Sequence, residues 1–245
     1  MPTACGPGVE RLEEEVLERF AEARTLVMSS DMAGGVQRLR LELEAIRRGE
    51  ADIIVGTQLV AKGHNFPGLS LVGVVDADLG LAHGDPRAAE RTFQLLTQVT
   101  GRAGRAGQAS RAFLQTHAPD HPVIQALVSG DSERFYDQES AMRRQAGLPP
   151  YGRLAGIVVS AADRGTAENH ARTMARAAPA DDGIRLLGPA EAPIAVLRGR
   201  HRIRLLVQAQ SSVALHTWLH EWLAKAPKAR GSVRVSIDID PMGFL

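Results

Sequence analysis

Four short apolar runs, at residues 25–28, 53–55, 71–75 and 112–114, alternate with stretches of helical apolar spacing. No other feature constrains the fold as strongly. Strands separated by helices pair in parallel, because a parallel crossover needs a dozen or more residues. The expected first part is therefore a layered α/β structure with a mainly parallel sheet. Its first helix, residues 9–20, puts Val9, Leu12, Val16, Leu17 and Phe20 on one side and Glu13-Glu14-Glu15 on the other. Further helices are predicted at 36–48, ended by Gly49, and at 90–100. Ligand groups gather at the carboxyl ends of parallel strands, which here carry Ser29, Thr57, Asp76 and Thr116.

Residues 121–146 read as largely helical and polar enough to bridge two domains. Gly147-Leu148-Pro149-Pro150-Tyr151-Gly152 follows as a linker, since two prolines block continuation of a helix. Beyond it, strands are expected at 154–159, 184–187, 203–207 and 233–239, with helices at 162–177 and 213–223. The order β-α-β-β-α-β is that of a ferredoxin-like α+β sandwich. Its middle hairpin is expected to carry a long loop, 188–202. The domain reading is thus a parallel-sheet part at 1–118, a helical connector at 119–150 and a ferredoxin-like domain at 151–245.

The 245 residues suffice for one large domain or two ordinary ones, and 44% apolar content can build sizeable cores. Lys and Arg total 29 against 28 Asp and Glu, so bulk charge selects no partner. Any nucleic-acid contact must come from local clustering. The single cysteine, Cys5, excludes an internal disulfide framework, fits a reducing cytoplasm and cannot build a zinc site alone. No apolar run approaches the ~18 residues of a membrane span. Met1-Pro2-Thr3-Ala4-Cys5 leads into a charged helix and does not read as a signal peptide. A cytoplasmic, membrane-free protein is the expectation.

Three segments invite chemistry. Gln98-Val99-Thr100-Gly101-Arg102-Ala103-Gly104-Arg105 places two glycine-preceded arginines at the end of an apolar-periodic helix. An arginine finger, which meets charge developing on a transferred phosphoryl group, has this form. A solvated Gly/Arg turn has it too, and both readings stand. In the second segment, Gly56 to Pro67, Thr57 and the backbone amides of a helix start can hold a phosphate, and Asn65 can bond a sugar hydroxyl. A plain turn with Thr57 as N-cap fits equally. His64 reads as a loop histidine, and Asp76 and Asp78 as turn and capping groups. The third segment, Arg198-Gly199-Arg200-His201-Arg202-Ile203-Arg204, concentrates positive charge. Arg202 and Arg204 share a strand face, while Arg198 and Arg200 are expected in the loop. This suits phosphate contacts; a charge-protected edge strand is the alternative. Trp218 and Trp222, spaced i, i+4, read as core rather than as a base-stacking platform. A Gly-x4-Gly-Lys-Ser/Thr loop is absent from the sequence, and so is an Asp-Glu pair after a strand. The chain is not expected to hydrolyse ATP alone.

Taken together, the segments resemble the C-terminal part of the bacterial primosomal replication-restart DNA helicase family (primosomal protein N′, PriA). The resemblance rests on Gly56-Thr57-Gln58, Ala61-Lys62-Gly63-His64, Phe66-Pro67, Asp85-x-Arg87-Ala88-x-Glu90-Arg91, Gln98-Val99-x-Gly101-Arg102-Ala103-Gly104-Arg105-Ala106-Gly107 and Leu114-Gln115-Thr116-His117. Leu148-Pro149-Pro150, Asp238-Ile239-Asp240-Pro241 and Gly6-Pro7-Gly8-Val9-Glu10 fit the same pattern. It implies an ATP-dependent 3′-to-5′ helicase of superfamily two that restarts stalled forks and initiates primosome assembly. Residues 1–118 would be an incomplete second RecA-like lobe, and 151–245 a DNA-binding domain. Arg102 and Arg105 match the family's arginine fingers. Gly63, Asn65, Gln98, Gly101 and Gly104 match its nucleotide-facing positions. Thr57 and Lys62 match DNA contacts, to which Arg198, Arg200, Arg202 and Arg204 would add the C-terminal patch. The implied cofactors are ATP with Mg, plus zinc on cysteine pairs that this sequence lacks. The implied partners are forked and single-stranded DNA, single-strand-binding protein and primosome proteins.

The departures from the pattern are large. The family often has an acid where Asn65 stands, and an amide cannot act as a fixed negative charge. The P-loop lobe and the N-terminal DNA-binding domain have no counterpart here, so the reading is of a truncated reading frame or a fragment. An unpaired strand edge and uncovered apolar surface are expected to follow. A non-catalytic nucleic-acid-binding protein that retains a RecA-like lobe is the alternative. A nucleotide-dependent metabolic enzyme is disfavoured by the missing glycine fingerprint.

Overall fold

The computed structural model describes residues 8–28, 35–56, 66, 68–81, 85–101 and 111–243. They form two compact units, each an α/β structure. The first holds the described residues up to Leu81 and Ala88–Ser132. The second holds Asp85–Arg87 and the chain from Glu133 onward. The expected connector at 119–150 is thus divided between them.

In the first unit α1 (Val9–Arg19), β1 (Thr25–Met28), α2 (Gly35–Arg47), β2 (Ile53–Gly56), β3 (Leu71–Val74), α3 (Ala88–Thr100), β4 (Arg111–Leu114) and α4 (Pro122–Ser129) follow in order. β1 pairs with β2 and β3 with β4, both in parallel as the alternation requires. Met28, Ile46 and Phe66 are buried together, with Leu39, Leu43 and Ile54 packed around them. The start of the β1–β2 pair is clamped by Asp52. Its Oδ2 accepts from the Arg24 backbone N–H at 2.9 Å and from Nε at 2.8 Å, and its Oδ1 accepts from Nη2 at 2.6 Å. These bonds hold the Asp52 carboxyl well below the usual carboxylate range. α3 buries Thr92, Phe93 and Leu96, whereas α1 buries no residue. Leu17, Phe20, Leu71 and Phe113 are exposed, so apolar surface of the kind expected lies uncovered.

The second unit contains α5 (Ser132–Ala146, of which Ser132 lies with the first), β5 (Gly152–Ala161), α6 (Arg164–Arg176), β6 (Ile184–Leu197), β7 (Arg200–Gln210), α7 (Leu215–Lys225) and β8 (Arg234–Ile239). After the linker the element order is the expected β-α-β-β-α-β. The sheet order is β6-β7-β5-β8, with every neighbouring pair antiparallel. Alternate residues Ala155, Ile157, Val159 and Ala161 of β5, and Ile203, Leu205, Val207 and Ala209 of β7, point to one face. There they meet Ala167, Ala171 and Met174 of α6 and Leu215, Trp218, Leu219 and Trp222 of α7. Both helices therefore cover the same side of the sheet. The tryptophans are core, as expected. Trp222 is fully buried and its indole N–H donates to the Met174 carbonyl at 2.8 Å. α6 starts on Asp163, whose carboxylate accepts from the amides of Thr166 at 2.7 Å and Gly165 at 3.0 Å.

The 121–146 stretch is largely helical, as expected, and is divided into two helices because Gly130 adopts a left-handed conformation (φ 71°) and ends α4. The structure corrects one expectation. The long loop at 188–202 does not exist. β6 continues to Leu197, and Arg198-Gly199 turns the chain with φ of 51° and 73°, the backbone of a type I′ hairpin. Gly188-Pro189 and Pro193 break the strand pattern in the sequence. The edge strand absorbs them as irregularities between Leu187 and Ala190 and between Glu191 and Val196.

Candidate nucleic-acid interface

Of the anticipated site residues, Thr57, Lys62, Gly63, Asn65, Arg102, Gly104 and Arg105 lie outside the described residues. Gln98 and Gly101 lie within them, both exposed at the C-terminal end of α3. The Gly101 N–H donates to the Thr97 carbonyl at 2.9 Å, and a Cβ at Gly101 would meet that same oxygen at 2.9 Å. Glycine thus closes the helix immediately before the arginine motif.

At the carboxyl ends of β3 and β4 a carboxylate is used for structure. Thr116 Oγ1 donates to Asp78 Oδ1 and the His117 N–H donates to Oδ2, both at 2.6 Å. Burial raises the Asp78 carboxyl, but these hydrogen bonds outweigh it and the net direction is downward. Asp76 turns the chain with φ 55°, and the Ala77 N–H donates to the Gln115 carbonyl at 2.8 Å. The turn-and-cap role expected for this pair is the one observed. Among the described residues, no group of three His, Cys, Asp or Glu is placed to hold a metal ion.

Positive charge gathers on the face of the second unit's sheet opposite α6 and α7. Register builds it row by row. Ser160 of β5 stands opposite Arg202 of β7 and also opposite Arg234 of β8. Val158 stands opposite Arg204 and Ser236. Arg185 of β6 stands opposite Gln208 of β7, two pairs further along the same face. Paired residues share a face, so Arg185, Arg202, Arg204 and Arg234 all lie on it, with Asp238 opposite Gly156 at its margin. Strand spacing separates Arg202 from Arg234 by roughly 10 Å at the backbone.

Arg198 is exposed at the hairpin turn. Arg200, expected in a loop, is the first residue of β7. Its Nη2 donates to the carbonyls of Ser160 (2.9 Å) and Ser232, and its Nε donates to Ser160 Oγ at 3.3 Å. Arg200 braces the face against β5. Arg185 and Arg234 were missed by sequence reasoning. They lie far from the 198–204 cluster in sequence, and only the strand order unites them. The available signal was alternation in 234–239, where Arg234, Ser236 and Asp238 interleave with Val235, Ile237 and Ile239.

Comparison with known proteins bears on both units. Residues 7–107 match the family model for the helicase conserved C-terminal domain, and residues 144–242 that for the primosomal protein N C-terminal domain. The replication restart protein PriA of Rickettsia felis is 40% identical over 242 residues, covering 99% of this chain and 37% of that protein. The chain belongs to the PriA family. PriA of Bacillus subtilis is 38% identical over 240 residues, or 96% of this chain and 30% of the relative. PriA of Synechocystis is 35% identical over 243 residues, or 98% of this chain and 29% of the relative. The chain corresponds to the C-terminal part of PriA and spans about a third of the length of these relatives. The arginine face lies wholly within the primosomal C-terminal match, and α3 within the helicase match.

The groups implied by the PriA resemblance do not fit this chain's residues taken alone. The sequence has one cysteine and no Gly-x4-Gly-Lys-Ser/Thr loop, so neither zinc-binding cysteine pairs nor a P-loop can be assembled from it. No helix among the described residues is long and apolar enough to cross a membrane.

Proposed function

We propose that this chain supplies the second RecA-like lobe and the C-terminal DNA-binding domain of an ATP-dependent 3′-to-5′ replication-restart helicase. The observation that carries this reading is the arginine face. Four arginines from three strands lie on one side of a sheet in a chain that matches PriA along 99% of its length. The parallel strand pairs support a RecA-like lobe. The all-antiparallel order β6-β7-β5-β8, with both helices on one side, supports a ferredoxin-like sandwich.

In this reading the sheet holds DNA by its phosphates. Arginine forks on a flat surface carry no base code, so binding is strong, salt-sensitive and indifferent to sequence. Thr57 and Lys62 add backbone contacts from the first unit. Arg102 and Arg105, which follow α3 in the sequence, act in this reading on a triphosphate held by another module, and Gln98, Gly63, Asn65, Gly101 and Gly104 are its nucleotide-facing positions. Forked and single-stranded DNA are the substrates, and the cytoplasm is the compartment. Single-strand-binding protein and primosome proteins are the expected partners.

The test is complementation. The chain is mixed with the N-terminal portion of a PriA relative that ends where this match begins, and DNA-stimulated ATP hydrolysis is measured. Restored hydrolysis that vanishes with Arg105→Ala is expected. DNA binding without restored hydrolysis would replace the helicase reading with a non-catalytic nucleic-acid-binding one.

A further inference from the structure

The sheet face opposite α6 and α7 is not uniformly basic. Register divides it into rows across the strands, each about 7 Å from the next, because residues on one face are two apart. The first row holds Arg185, Gln208 and Leu154. The second holds Leu187, Leu206, Gly156 and Asp238. The third holds Ala190, Arg204, Val158 and Ser236. The fourth holds Arg202, Ser160 and Arg234. Arginine stands in the first, third and fourth rows. The second row has two leucines, a glycine and a carboxylate in its place.

Leu187 is 38% exposed and Leu206 is half-buried, and neither belongs to the core that α6 and α7 cover. A phosphate over this row finds no N–H donor among its side chains, and exposed Asp238 repels it. A nucleobase fits the row in both respects. Its ring lies against the leucines, as bases do against apolar side chains elsewhere. Its pairing edge carries at least one N–H, which a carboxylate accepts. In a duplex those N–H groups are taken by the opposite base and the ring faces by stacking. Only an unpaired strand offers phosphates and open bases together. Arginine rows on both sides of one apolar and acidic row match such a strand in charge and in polarity.

We propose that the row Leu187–Leu206–Asp238 is a base-contacting subsite, which makes this face select unpaired strands over duplex. The proposal rests on the reading of the flanking arginines as phosphate contacts. Every base has a ring face and an N–H on its pairing edge, so the selection is for strand type and not for sequence.

The experiment uses the 245-residue chain and two fluorescein-labelled strands of equal length, an oligothymidine and an abasic strand that keeps every phosphate. Affinities are read by anisotropy. The natural chain is expected to bind oligothymidine at least five-fold more tightly than the abasic strand. In Leu187→Thr/Leu206→Thr the preference should fall below two-fold, while abasic affinity stays within two-fold of the natural chain. In Asp238→Ala abasic affinity should rise, because a repulsion is gone, and the preference should narrow. Leu187→Trp, on an exposed edge strand, supplies a signal that does not depend on losing a contact. Its added emission should be quenched by oligothymidine and not by the abasic strand. The emission of Trp218 and Trp222 in the other variants reports whether the second unit is folded. Equal binding of the two strands by the natural chain overturns the proposal. So does an undiminished preference in the folded double variant, or unchanged Leu187→Trp emission at saturating oligothymidine. Failure of the natural chain to bind either strand overturns the arginine-face reading instead, and the subsite falls with it.

Discussion

Arg202 and Arg234 sit in one cross-strand row, separated only by Ser160. Two residues that are 32 positions apart in sequence become neighbours on the sheet because β5 lies between β7 and β8. If both contact phosphates, removing them removes about two counterion-releasing contacts. The dependence of log affinity on log salt should then become shallower by about 1.4 for a single strand. Arg202→Ala/Arg234→Ala, measured by oligothymidine anisotropy over a salt series, is expected to show this. Arg172→Ala on α6, whose guanidinium pairs with Glu168 at 3.1 Å, should leave the slope unchanged. An unaltered slope in the double variant would remove the face from the binding surface.

How legible this surface was from the sequence depends on which arginine is considered. Arg202 and Arg204 were readable, since alternation with Ile203 fixes their common face. Arg185 and Arg234 were not, because register between distant strands is set by the assembled sheet and not by local spacing. Arg200 was misread for a different reason. A long loop was expected at 188–202, but an edge strand tolerates Pro189 and Pro193 at its irregularities, and the chain stays paired up to the Arg198-Gly199 turn. The first unit's strands were visible at once, since each is a short apolar run set between stretches of helical spacing. Division of the connector after Ser132 had no such signal, because α5 is mostly polar, and partners such as Pro86, Tyr151 and Gln208 show where it belongs.

Asp78 is expected to matter to the first unit and not to the second. Its carboxylate holds Thr116 and the His117 amide at the ends of β3 and β4. Replacing it by Ala removes both hydrogen bonds, whose net contribution is roughly 0.5–1.5 kcal/mol each. Both tryptophans lie in α7, so their fluorescence follows the second unit alone. Asp78→Ala should shift the urea transition seen by far-UV circular dichroism while the fluorescence transition stays in place. A coincident shift of both would show that the two units unfold as one.

His170 of α6 gives the second unit a pH dependence of known sign. Its Nε2 is buried without a hydrogen-bond partner, and burial pushes the imidazole below its ordinary value. The folded form therefore holds a neutral ring, while the unfolded chain takes up a proton first as pH falls. The stability associated with this group is complete above the unfolded histidine value, near 6.5, and declines as pH drops through and below it. The urea midpoint by tryptophan fluorescence should fall from pH 7.5 to 5.5, and less steeply in His170→Gln. Equal steepness in the two proteins would mean that the ring is solvated in the folded state.

Gly152 and Gly199 should respond differently to the same substitution. Gly199 has φ 73° in the hairpin turn, and a Cβ there would meet nothing within 4 Å. Alanine at this position pays only for the left-handed backbone, roughly 1–2 kcal/mol. Gly152 has an ordinary φ, but a Cβ would lie 2.2 Å from the Gly147 carbonyl oxygen and 3.0 Å from that of Ala209. Both obstacles are backbone. The Gly147 oxygen is also held by the Gln208 amide, and the Leu148 carbonyl accepts from the Gly152 N–H at 3.2 Å. The linker therefore cannot move aside without breaking the turn that starts β5, and the cost should reach or exceed the 1–3 kcal/mol typical of overpacking. Urea midpoints by tryptophan fluorescence should place Gly152→Ala well below Gly199→Ala, which itself falls modestly below the natural chain. A Gly152→Ala midpoint equal to the natural one would mean that the linker reaches β5 along a different path from the one between Gly147 and Ala209.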